Sequence, residues 1–105
     1  MGFLNNLERS NVAEHISLTT NAATAKNGSF STLTEDTIVD VVIQNLSAAA
    51  CYITFGTTTV TATSNDMYLA ANASVSLNNT KFVYFSVIRA TGTDVTLRIT
   101  GIGKS

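Results

Sequence analysis

The sequence predicts an all-β protein, a single antiparallel β-sandwich of about eight short strands. Three observations carry that expectation. Apolar and polar residues alternate in segment after segment between Ile16 and Ile99, the two-residue period of half-buried strands. No long stretch repeats its apolar residues with the helical period. Clusters such as Asn27-Gly28, Asn45-Leu46-Ser47 and Ser64-Asn65-Asp66 break the chain at short intervals, as turns do in sandwiches and barrels.

At 105 residues the chain has room for one domain and one core. Residues 1–14 read as an arm or a short helix, and residues 15–105 as the sandwich. In the first segment Phe3, Leu4 and Leu7 stand isolated among polar residues. They are too sparse for a core strand, but they fit one side of a helical turn or the apolar anchors of an arm that reaches another subunit.

The first strand is expected over residues 16–20, where Ile and Leu alternate with Ser and Thr. Asn27-Gly28 is a turn dipeptide, and residues 29–33 alternate again around Phe30 and Leu33. Residues 38–61 form the centre of the pattern. Val39, Val41 and Ile43 share one face and Asp40 and Gln44 the other. After a polar turn at residues 45–48, Cys51, Ile53 and Phe55 point inward and Tyr52 and Thr54 outward. The two arms are expected to pair, because a one-residue slip would expose both apolar rows. Ile38 and Val42 fall on the polar side of the first arm, so that strand is either central or covered by a neighbour.

Residues 57–61 are β-branched and extended. Residues 67–69 and 74–77 are short strands, and residues 82–90 are the most apolar segment of the chain. There Val83, Phe85 and Val87 share one face and Phe82, Tyr84 and Ile88 the other, so both faces need cover. A short hairpin loop at residues 91–93 leads to a strand with Val95, Leu97 and Ile99 inward, followed by a tail over residues 101–105.

Charge and cysteine content narrow the function. Charged residues make up 12% of the chain, about half the usual share, so Thr, Ser and Asn must cover the surface and packing into an assembly is favoured. The net charge is −1 and the six Lys and Arg are scattered, which removes the electrostatic basis for nucleic-acid binding. Cys51 is the sole cysteine, so no internal disulfide forms, and its place on an apolar row makes it a buried hydrophobe. No signal peptide or membrane span is expected. Gly2 lacks the Ser or Thr that a myristoylation start needs at position 6. The glycosylation sequons at Asn27, Asn45, Asn72 and Asn78 follow from an Asn- and Thr-rich composition.

No catalytic constellation is apparent. His15 is the lone histidine, whereas a metal site in a β-barrel needs several. Glu35 and Asp36 lack further oxygen ligands for calcium, and Asp40, Asp66 and Asp94 fall on different elements. The expectation is therefore no enzyme, no cofactor and no metal. Tyr52, Tyr68 and Tyr84 suit either subunit contacts or, as the alternative, a sugar-stacking platform.

The runs VVIQNLSAAACYITFG, TATSNDMYLAANASVSL and VYFSVIRATGTDVTLRITGIG resemble small structural proteins of tailed bacteriophages. The resemblance lies in Asn45, in Phe55-Gly56, in residues 69–72 and in the closing segment 90–101. It implies a jelly-roll-like head decoration or cement subunit, trimeric, seated on the major capsid protein at the capsid surface of the virion. Such a subunit acts through whole surfaces. The interface candidates in this chain are Phe3, Leu4, Leu7, Ile38, Val42, Phe82, Tyr84 and Ile88. The alternative is a carbohydrate-binding module of a tail or cell surface.

Overall fold

The computed structural model describes residues 12–103. They form eight strands: β1 (Val12–Thr19), β2 (Lys26–Ser29), β3 (Ile38–Asn45), β4 (Cys51–Gly56), β5 (Met67–Leu69), β6 (Ser74–Leu77), β7 (Tyr84–Arg89) and β8 (Thr96–Gly103). Two four-stranded sheets result, ordered β1-β8-β3-β6 and β2-β7-β4-β5, with every pairing antiparallel. Among consecutive strands only β4 and β5 pair with each other. Every other connection except β4–β5 crosses from one sheet to the other, which is the winding of a jelly roll.

The core lies between the sheets. Val41, Ile43, Leu97 and Ile99 of the first sheet face Cys51, Ile53, Phe85 and Val87 of the second, and all are buried. Phe30 meets Phe85 edge-on, with ring centroids 5.1 Å apart, the arrangement aromatic quadrupoles favour. Gly101 lies so close beneath Phe30, Leu33 and Ile38 that a methyl group there would overlap all three.

The expected sandwich is present, and several local expectations are corrected. The arms flanking residues 45–48 do not pair, because β3 belongs to one sheet and β4 to the other. Their apolar rows meet face to face across the core. Residues 91–93 likewise carry the chain between sheets instead of closing a hairpin. Asn27-Gly28 lies within β2, opposite Ser86 and Phe85. Gly28 is there for space, since a Cβ would stand 2.5 Å from Leu18 Cδ2. Residues 12–14 already belong to β1 and are strand, not arm, and β8 extends through Gly103 into the expected tail. The two-faced segment 82–90 is a strand only from Tyr84 to Arg89.

Two β-strand ends are fastened by polar groups. Asn45, only 2% exposed, donates through Nδ2 to the carbonyls of Ala49 at 2.8 Å and Ala70 at 3.1 Å, and its Oδ1 accepts from the Ser47 amide at 3.0 Å. It thereby ties the β3–β4 crossing to the β5–β6 crossing. At the same end, Thr20 donates to Asp94 at 3.0 Å and accepts from the Val95 amide at 2.9 Å, while Arg89 pairs with Asp94 at 2.8 Å.

Candidate interaction surface

Alternation on β4 places Tyr52 outward between the buried Cys51 and Ile53. Leu69 is buried opposite Cys51, so its neighbour Tyr68 also points out, directly opposite Tyr52. Ile88 of β7 flanks Tyr52 on the other side. The result is an apolar row, Ile88–Tyr52–Tyr68, crossing three strands on the outer face of the second sheet. The tyrosine rings meet edge to face at 5.7 Å, and Tyr68 is 59% exposed. Met67 beside it is also exposed. A row of this kind without a charged member is what protein contacts use for their anchors.

Another part of that outer face is covered by the chain itself. Ser86 points outward from β7 yet is 1% exposed, because residues 57–66 cross over it. The Ala62 amide donates to Ser86 Oγ at 2.8 Å, and Ser86 Oγ donates to Asn27 Oδ1 at 2.6 Å. Ala62, within this strap, is itself buried. The apolar segment 82–90, which needs cover on both faces, therefore receives part of it from within the molecule.

A second surface lies at the end of the sandwich where β1 begins. Two depressions, of about 360 and 540 Å³, meet at Thr57. The first is floored by Phe30, Val83 and Tyr84, the second by Leu77 and Phe82. Phe82 is held against Phe55 at 5.1 Å between ring centroids. Glu14 fixes one wall by accepting from the amides of Ser31 at 2.7 Å, Thr32 at 2.8 Å and Leu33 at 2.9 Å, and from the Ser31 hydroxyl at 2.9 Å. Partial burial pushes its carboxyl up, but the hydrogen bonds from Ser31, Leu33 and Thr32 together outweigh that and hold it below its ordinary value.

The predicted interface residues separate into different places. Phe3, Leu4 and Leu7 lie outside the described residues. Ile38 does not share the outer face with Val42: a register shift between Ile38 and Asp40 turns it into the core. Val42 is half-buried on the outer face of the first sheet, between Thr100 and Ser76. Phe82 and Tyr84 line the end depressions, and Ile88 belongs to the outer row. Tyr84 pairs with Gly56, several residues along the strand from Tyr52, so the structure brings together two of the three tyrosines proposed as a platform. Alternation marks Tyr52 as outward, but nothing in sequence shows that the short β5 sets Tyr68 beside it.

The titratable groups serve local structure. His15 Nδ1 lies 3.0 Å from Thr100 Oγ1 on an exposed face. Asp66 accepts from the Thr63 amide at 2.7 Å and Asp40 from the Asn79 amide at 3.1 Å. Burial pushes the Cys51 thiol up to about 11. Among the described residues no three of His, Cys, Asp and Glu stand together as metal ligands would.

The strand order defines a jelly-roll domain. No protein-family model matches the chain, and no curated protein matches it. Among solved structures it is similar to one described as Bacillus endospore appendages that form a novel family of disulfide-linked pili. The two share 16% identity over 91% of this chain and 89% of that one, with a TM-score of 0.57. This likeness shows a common fold. A structure of the SPBc2 prophage-derived protein YomS matches with 11% identity over 87% of this chain and 95% of that one, at a TM-score of 0.46, too distant to carry an argument.

Proposed function

We propose that this chain is a non-enzymatic structural subunit of a virus particle, a capsid decoration or cement protein that bridges neighbouring capsomers at the capsid surface. The observation that carries the reading is the row Ile88–Tyr52–Tyr68, apolar side chains left on the outer face of a sheet whose neighbouring surface the chain covers with its own strap. A molecule this poor in charge gains from burying such a row against a partner. The partner in this reading is the major capsid protein, and the chain acts as a homotrimer. Buried area, not chemistry, does the work: a contact near the standard size of roughly 1,600 Å² is enough for stable attachment. The likeness to a pilus protein supports the reading to the extent that the same fold serves there in an assembly. The disulfide linkage of those pili has no counterpart in Cys51, which is buried.

The alternative, a carbohydrate-binding module, is favoured by one observation, the exposed face of Tyr68 beside Tyr52, since sugar rings stack on tyrosine. One experiment separates the two. The purified chain is sedimented with particles assembled from the major capsid protein of its virus, and the same preparation is applied to a glycan array. Attachment to particles that falls at least tenfold in Tyr68→Ala supports the decoration role. Glycan binding lost in Tyr68→Ala, with no attachment to particles, replaces it with the alternative.

A further inference from the structure

We infer that the groove formed by the two depressions at the β1 end of the sandwich receives residues 1–11 of a neighbouring copy of this chain. The inference rests on the reading of the chain as an assembling subunit and names the contact between copies. The groove is mixed: Leu77 and Phe82 give the half beside β6 a mainly apolar lining, and in the other half Phe30 and Tyr84 stand among polar groups. The segment before Val12 has the matching composition: Phe3, Leu4 and Leu7 spaced along an otherwise polar peptide. The groove rim carries one charge of each sign, Glu35 and Lys81, and so does the segment, in Glu8 and Arg9.

Length and position point to exchange between copies. Eleven residues span up to about 36 Å when extended, enough to cross from one molecule to the next. The described chain begins at Val12, on the edge strand β1, while the larger half of the groove lies beside β6, the opposite edge of the same sheet. With β8 and β3 between them, those edges are about 14 Å apart at the usual strand spacing. The half lined by residues 30–35 lies at the chain's own root beside Glu14, and it is the half beside β6 that a chain would reach in its own groove only by turning back across the end of the sheet. A neighbour's segment needs no such reversal. Because root and groove sit at the same end, two copies facing each other at that end can exchange segments reciprocally, a closed contact.

Two variants of the full chain test this. Leu7→Asp spoils the segment and leaves the groove intact. Thr57→Arg blocks the groove at the exposed residue where its halves meet and leaves the segment intact. Light scattering coupled to size exclusion is expected to show the wild type at a small integer multiple of the chain mass, with a plateau as concentration rises. Each variant alone should associate at least tenfold more weakly, and an equimolar mixture should regain hetero-pairs, since it contains one good segment and one good groove. A wild-type monomer at every concentration, Leu7→Asp assembling like the wild type, or a mixture no better than its components would overturn the inference. The capsid reading fails on a different result: Tyr68→Ala still attached to particles as firmly as the wild type.

Discussion

Asn45→Ala removes a buried side chain that touches both crossings at one end of the sandwich, and its effect follows from the hydrogen bonds counted there. Nδ2 donates to Ala49 and Ala70 and Oδ1 accepts from Ser47. Each such bond contributes about 1 kcal/mol net, so the loss is about 3 kcal/mol before any relaxation of the turns. In a domain of this size that lowers the melting temperature by roughly 12–24 °C. The assay is thermal unfolding followed by circular dichroism, with reversibility checked by rescanning. Asn45→Asp provides the control on mechanism. It keeps an acceptor for Ser47 but turns a carboxylate oxygen toward the two carbonyls, so at neutral pH it should destabilise more than alanine does. Its deficit should shrink as pH falls, because the protonated acid regains a donor and the destabilised form is the charged one. A fall under about 5 °C for Asn45→Ala, or an Asn45→Asp deficit relative to the wild type that grows on acidification, would refute the assignment of the turns' stability to this residue.

Three further outcomes follow from the described contacts. Gly101→Ala sets a Cβ 2.6 Å from Phe30 Cζ and 2.7 Å from Leu33 Cδ1, an overpacked core that should cost about 1–3 kcal/mol in urea unfolding. Glu14, with its carboxyl held below the unfolded value, adds stability that is complete above the ordinary carboxylate pKa of about 4.3 and is lost as pH falls through the folded value. Glu14→Gln should therefore flatten the acid limb of a stability–pH curve, and an unchanged limb would remove Glu14 from the account. Cys51, buried and with its thiol pushed up to about 11, should resist a thiol-specific reagent at pH 8 in the native protein and react at once in denaturant; fast native labelling would contradict its burial.

The sandwich was legible because burial acts on strands through alternation, and alternation is written in the residues: the inward sets Cys51–Ile53 and Leu97–Ile99 follow from parity alone. Pairing was not legible, since parity says which face a residue takes and nothing about which strand lies alongside. Hence β3 and β4 read as partners when they pack across the core. Ile38 was misplaced because one irregular step at Val39 inverts the parity that places every residue before it. Asn27-Gly28 read as a turn because those residues tolerate turn geometry, whereas here they answer two local needs, clearance for Leu18 and an acceptor for Ser86. The strap over Ser86 left no sequence signal, as its anchor is the backbone amide of Ala62. Glu14 gave none either, because its partners are mainly backbone amides from a loop.

The strand order has a bearing on how the chain is made. β8, the last of the described strands along the chain, lies in the middle of its sheet, with β1 on one side and β3 on the other, and Val12 pairs with Gly103. During translation β1 and β3 wait on the ribosome without the strand that joins them, each presenting an apolar face and unpaired backbone. Completion has to follow release of residue 103 from the exit tunnel, and contacts of such sequence separation form slowly, on the scale of milliseconds to seconds. Nascent chains stalled a few residues short of β8 should therefore be open to proteases along most of their length, and release should protect β1, β3 and β8 together in a single step.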